Sequence, residues 1–177
     1  MIARSATRGA GLALALLAMA LGGCGYSFSG SSLPGHIRTI AVPVLSNESL
    51  DATIADEVTR SLTDRFLEDN RLKIAAESRA DCVLEGTVKE YERKVFSYDA
   101  GQNPEEYLVV VKVALVLKDR IKNRDLWADE ALQATATYPA LEGVAEDDPN
   151  LTAEQEARLE ALELLAQDVL ARTLEQW

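Results

Sequence analysis

The stretch from Glu105 to Arg120, "EEYLVVVKVALVLKDR", constrains the fold more than any other part of the chain. Tyr107, Val109, Val111, Val113, Leu115 and Leu117 recur at every second position, the period of an extended strand. The intervening positions carry Leu108, Val110, Ala114 and Val116, so the second face is apolar as well. Such a strand belongs at the centre of a sheet, or where something else covers its second face. Its sequence neighbours supply the flanks. "DCVLEGTVKEYERKVFSYD" alternates, with Cys82, Leu84, Gly86 and Val88 on one face and Glu85, Thr87, Lys89, Tyr91 and Arg93 on the other. "GQNP" and "KNRD" are turns, and "LWADEALQATATYP" is a further strand ending at Pro139. Three long strands joined by turns predict an antiparallel meander.

Helical periods stand before and after it. Leu50, Ile54, Val58, Leu62 and Phe66 recur every four residues, with acids in the first turn where the macrodipole favours them, and Asn70 is a stop. At the C-terminal end Leu159, Leu162, Leu165, Val169 and Thr173 share a face, with Asn150 or Thr152 as the cap. "IRTIAVPVL" reads as a first strand ending near Pro43, and "RLKIAAE" as a short one. The expected fold class is α+β: an antiparallel or mixed sheet of about four strands with two helices on one face, in the order β-α-β-β-β-α.

The N-terminal residues address location. Arg4 and Arg8 precede an Ala/Leu run from Gly11 to Leu21, the pattern of a secretory signal too short to span a bilayer stably. Leu21-Gly22-Gly23-Cys24 closes it and resembles the lipobox of bacterial lipoproteins, in which the cysteine is acylated and becomes the first mature residue. Residues 1–23 are thus expected to be a removed signal peptide, 24–36 a lipidated tether broken by Pro34, and 37–177 a single domain. Two or three acyl chains, at roughly 0.8 kcal/mol per buried methylene, anchor a protein without spanning the membrane. Gly25 stands where, in lipoproteins of this pattern, an aspartate favours inner-membrane retention, which points to the outer membrane.

Loss of Arg4 and Arg8 takes the formal charge from −11 to −13. Acidity of that degree disfavours nucleic acid and restricts any anionic ligand to a local basic patch. Such a patch is visible: Lys118, Arg120, Lys122 and Arg124 surround one turn, and Arg93 and Lys94 form a separate, weaker pair. Cys82 is the remaining thiol, so no internal disulfide is expected, and it reads as a small packed residue. His36 is the only histidine and lies in a loop segment, and no nucleophile elbow, zinc-protease helix, Cys-x-x-Cys pair or phosphate loop occurs. No catalytic site, metal site or cofactor is expected.

Taken in order, "GCGYSF", "LPGHIRTIAVPVLSNES", the first helix, "ADCVLEGTVKEYERKVFSYDA", "YLVVVKVALVLKD", "LWADEALQATATYP" and the helix running to Trp177 resemble the LPS-assembly lipoproteins, the LptE-like proteins of Gram-negative outer membranes. The resemblance spans essentially all of the mature chain. It implies a lipoprotein that serves as plug and partner of a large outer-membrane β-barrel LPS-assembly protein (LptD-like) and assists delivery of lipopolysaccharide to the cell surface. On that reading Cys24 carries the lipid; Lys118, Arg120, Lys122 and Arg124, with Arg93 and Lys94, are candidate contacts for lipopolysaccharide phosphates. Leu108, Val110, Ala114 and Val116, expected to stay wet if both helices cover the other side, are the candidate partner-facing residues. "IRTIAVPVLSNES" before an amphipathic helix is also similar to lipoproteins that activate peptidoglycan synthases or build curli-type secretion complexes, which keeps that alternative open.

Overall fold

The computed structural model describes residues 33–140 and 149–175. Cys24 and the signal peptide expected over residues 1–23 lie outside the described residues. The fold class is the expected α+β, with more strands than expected: six, of which three are very short. They are β1 (Thr39–Ala41), β2 (Ser46–Asn47), β3 (Lys73–Ile74), β4 (Cys82–Tyr98), β5 (Pro104–Asp119) and β6 (Arg124–Pro139), with helices α1 (Ile54–Asp69) and α2 (Pro149–Glu175).

β4, β5 and β6 form the antiparallel meander, with β5 central. The single N-terminal strand expected over residues 37–45 is instead two short pieces laid in succession along the edge of β4, β1 beside Cys82 and Val83 and β2 beside Thr87 and Val88. Pro43 stands between them and cannot donate to the ladder, which accounts for the break. β1 pairs in parallel with both β3 and β4, and α1 supplies the crossover that a parallel connection requires.

Both helices pack on one face of this sheet. Ile54, Val58, Leu62 and Phe66 of α1 and Ala161, Leu165, Val169 and Leu174 of α2 bury against Ile40, Leu84, Val109, Val111, Val113, Leu117 and Tyr138. Each large apolar side chain so buried contributes roughly 1.5–3 kcal/mol. Cys82 is fully buried in the same core, and burial above all, then Asp81 and Asp119, push its thiol up to about 12. On the opposite face a small cluster of Ala41, Ala75, Ala80 and Val83 forms where residues 75–80 fold back over the sheet end.

Three local expectations need correction. Leu50 is fully exposed and lies before α1, because the Asp51 carboxylate ends the preceding turn and accepts the N–H groups of Thr53 (2.8 Å) and Ile54 (3.1 Å). Leu159 is exposed, its place on the buried face of α2 being taken by Ala157, Ala161 and Leu162. Asn150 and Thr152 lie inside α2, which begins at Pro149, a residue whose missing N–H is harmless in the first turn. Asn70 does terminate α1: its φ of 59° is left-handed and its N–H donates to the Phe66 carbonyl at 3.1 Å.

Candidate functional site

The basic turn between β5 and β6 is built on Asp119. Its buried carboxylate accepts the N–H groups of Ile121 and Lys122, both at 2.9 Å, and lies 2.8 Å from His36 Nε2. Burial alone would raise its pKa; the Lys122 N–H bond and His36 outweigh it and hold the group below its ordinary range. Asn123, at φ 47°, takes the left-handed conformation that closes the turn. The Arg120 N–H donates to the Asp81 carbonyl at 2.9 Å, tying the hairpin root to the start of β4. From this frame Arg120, Lys122 and Arg124 stand exposed, with Ile121 exposed among them.

The four cations named from sequence are therefore not equivalent. Lys118 reaches across the sheet to Glu85 at 2.7 Å, while Arg124 Nε lies 3.9 Å from Asp119. Among the described residues Arg120 and Lys122 have no carboxylate within ion-pair distance. A shallow cleft of about 320 Å³ adjoins the turn, with Glu77, Glu85 and Asp125 among its walls.

Arg93 and Lys94 are not brought together. β4 carries one extra residue between Val88 and Glu90, so Lys89 has no partner on β5 and the alternation reverses beyond it. Tyr91 and Arg93, expected opposite Cys82, turn to the helix-covered face, where Tyr91 packs against the core and pairs with Val111. Arg93 lies 5.2 Å from the Tyr107 ring centre and 3.1 Å from Glu154 of α2. Lys94 falls on the open face, 3.8 Å from Glu92.

The open face is also less bare than expected. Val110 is only 1% exposed although it belongs to neither core cluster; Glu92 and Thr135 flank it on the neighbouring strands. Leu108, Ala114 and Val116 are half-buried. Ion pairs between Glu90 and Lys112 (2.5 Å) and between Glu85 and Lys118 (2.7 Å) lie over this side, and their aliphatic stems cover apolar surface that would otherwise be wet.

A dense polar cluster between the helices and the sheet was not predicted. Arg158 of α2, its side chain 15% exposed, bonds Asp51 at 2.6 Å and Glu57 at 2.6 and 2.9 Å, donates to the Thr53 hydroxyl at 3.0 Å, and lies 4.5 Å from the Tyr91 ring centre. The Arg158 guanidinium holds the Asp51 carboxyl well below its ordinary range. Beside it Glu154 accepts from Tyr91 (3.3 Å), Arg93 (3.1 Å) and Tyr138 (3.4 Å), and Tyr138 stacks on Tyr107. Every charge here is answered internally, which marks the cluster as a clamp between α2, α1 and the sheet. Its acids were visible in sequence, but the non-local Arg158 was not.

Among the described residues no group of three or more His, Cys, Asp or Glu is placed to hold a metal, and no helix is long and apolar enough to cross a membrane.

An open sheet with two helices on one face is a fold this chain shares with a solved bacterial lipoprotein. A minor lipoprotein from Acinetobacter baumannii shares it at a TM-score of 0.53 and 17% identity, over 78% of this chain and 96% of that one. Uncharacterized lipoprotein B from Nitrosomonas europaea matches at TM-score 0.49 and 17% identity, over 81% and 88%. The rare lipoprotein B of Shewanella oneidensis matches at TM-score 0.46 and 21% identity, over 72% and 93%. No curated protein matches the chain in sequence. The LptE lipopolysaccharide-assembly family matches residues 37–173, and the chain belongs to that family. It is accordingly a lipoprotein of lipopolysaccharide assembly.

Proposed function

We propose that this protein is an outer-membrane lipoprotein, acylated at Cys24 and facing the periplasm, that assists lipopolysaccharide transport as the non-catalytic partner of a large β-barrel of the LptD-like kind. The family match over residues 37–173 carries this reading. The half-buried Leu108, Ala114 and Val116, with Val110 beneath the paired charges, are the surface offered to the barrel. A face of that composition suits a partner that supplies both apolar and polar contacts.

The lipopolysaccharide contact is assigned to the β5–β6 turn. Lipopolysaccharide bears phosphates, and Arg120 and Arg124 suit bidentate phosphate contact while Lys122 adds a point charge. Lys118 contributes less, since Glu85 already neutralises it.

Extraction in mild detergent tests the partnership: the protein is expected to bring down a large barrel, and isolation as a stable monomer without one would count against it. Serine at Lys118, Arg120, Lys122 and Arg124 is expected to weaken lipopolysaccharide binding more at low salt than at high salt while barrel association persists. Unchanged binding removes the turn from any ligand role. Mass spectrometry of the mature N-terminus tests acylation, and a free amino group at Gly25 refutes it.

A further inference from the structure

The end of the sheet that carries the β5–β6 turn is also the end at which the N-terminal segment joins the domain. The Ile37 N–H donates to the Pro34 carbonyl at 2.8 Å, His36 is fastened to Asp119, and Arg38 opens directly onto β1. Neighbouring backbones at that end are linked in a row. Lys73 donates to the Arg38 carbonyl at 3.0 Å, the Asp81 carboxylate accepts the Arg38 N–H at 2.9 Å, and Arg120 donates to the Asp81 carbonyl at 2.9 Å. Arg79 stands two residues before Asp81.

Arg38, Lys73 and Arg79 are exposed, and none has a carboxylate within ion-pair distance among the described residues. Asp81 spends its carboxylate on the N–H groups of Arg38 and Thr39, and Glu77, exposed and two positions before Arg79, offsets one of the three cations. The far end of the sheet has the opposite sign: residues 99–106, "DAGQNPEE", hold three acids and no base. A chain of net charge −11 is thus electrically polar along its strands, positive where the tether joins.

We propose that Arg38, Lys73 and Arg79, grouped around the root of the tether, seat this end of the domain on anionic phospholipid headgroups of the bilayer that holds the lipid anchor. The proposal rests on the reading of Cys24 as acylated. Thirteen positions separate Cys24 from Ile37, at most about 45 Å in any conformation, so an anchored domain stays within reach of the surface. The acidic far tip is repelled by an anionic surface and the tether end is attracted, so the tether end is the one that meets the headgroups. Basic residues beside a membrane anchor each add to surface attraction, and the effect fades within a Debye length. The neighbouring Arg120, Lys122 and Arg124 remain with lipopolysaccharide.

The test uses the acylated mature protein reconstituted on vesicles of phosphatidylcholine alone, of phosphatidylcholine with one-third phosphatidylglycerol, and of phosphatidylcholine with lipopolysaccharide. A fluorophore is placed at Ser78→Cys or, as a far-end control, at Gly101→Cys, and is quenched by spin-labelled lipid. Quenching at position 78 is expected to be at least twofold greater with phosphatidylglycerol than without it. That gain disappears in high salt, and position 101 does not show it. Arg38→Ser/Lys73→Ser/Arg79→Ser abolishes the gain, whereas Arg120→Ser/Lys122→Ser/Arg124→Ser keeps most of it. Equal quenching on neutral and phosphatidylglycerol vesicles overturns the proposal, as does a gain seen only with lipopolysaccharide or removed only by the turn variant. Sedimentation with neutral vesicles reports the acyl anchor alone. A protein that stays in solution there refutes the anchor, while the phospholipid contact still stands or falls on the difference phosphatidylglycerol makes.

Discussion

Replacing Arg158 by methionine removes the cation of the clamp while keeping much of its packing on Tyr91. Two carboxylates, Asp51 and Glu57, then face each other's field with no counter-charge, and the Thr53 hydroxyl loses a donor. Breaking a fully buried pair costs about 3–5 kcal/mol. The residual exposure of Asp51 and Glu57 side chains, 24% and 34%, admits solvent screening, which lowers the expected loss to about 2–3 kcal/mol. For a domain of this size that corresponds to a fall in Tm of about 6–10 °C at neutral pH. The loss has a defined pH dependence. Folding lowers the Asp51 pKa from its ordinary 3.8, so the unfolded chain takes up that proton first. The ion pair therefore contributes fully above about pH 4, and its contribution fades as pH falls toward the folded value. Thermal denaturation followed by circular dichroism at pH 7 and pH 2.5, on wild type and Arg158→Met, should show a large gap at the first and a smaller one at the second, where part of the contribution is lost. A Tm within about 2 °C of wild type at pH 7, or a gap equally wide at both pH values, refutes the clamp.

Other outcomes follow from single contacts. Gly86→Ala sets a Cβ against the Ala114 carbonyl and the Leu115 side chain at the centre of the sheet, so it should lower stability by about 2–4 kcal/mol in urea denaturation. Cys82, fully buried with its thiol pushed up to about 12, should resist alkylation by iodoacetamide in the native protein and react on unfolding, as read by mass spectrometry. Asp119→Ala orphans the N–H groups of Ile121 and Lys122 and frees His36; a loss of about 2–3 kcal/mol, with faster amide exchange confined to the hairpin, is expected.

Much of the sheet was legible because β5 is long, apolar and uninterrupted on its core face, so strict alternation named all six residues of that face correctly. Alternation failed on β4 for one residue: the bulge at Lys89 has no compositional mark, and it moves Tyr91 and Arg93 to the opposite side. Val110 was misjudged because counting polar and apolar positions ignores the long charged side chains that lie over them. The parallel pairings of β1, β2 and β3 rest on two or three residues each and draw their partners from distant sequence, beyond any local period. At the turn, residue identity gave the charge, but only the geometry shows Lys118 already neutralised and Arg38, Lys73 and Arg79 joined to the same end.

The outer edge of β6 has no strand partner among the described residues, yet it is a poor template for a second copy. Opposite Val113 and Leu115 of β5, β6 carries an extra residue near Glu130 and Ala131, and the Asp129 carboxylate takes the Ala131 N–H at 2.9 Å. Leu126 is a second extra residue, opposite Leu117 and Lys118, so sixteen residues that would otherwise offer one continuous ladder are divided into three shorter runs, the last closed by Pro139. Proteins fixed to a membrane diffuse in two dimensions and meet one another far more often than in free solution. With Cys24 acylated as proposed, the interrupted edge would hinder neighbouring copies on one surface from growing into sheets.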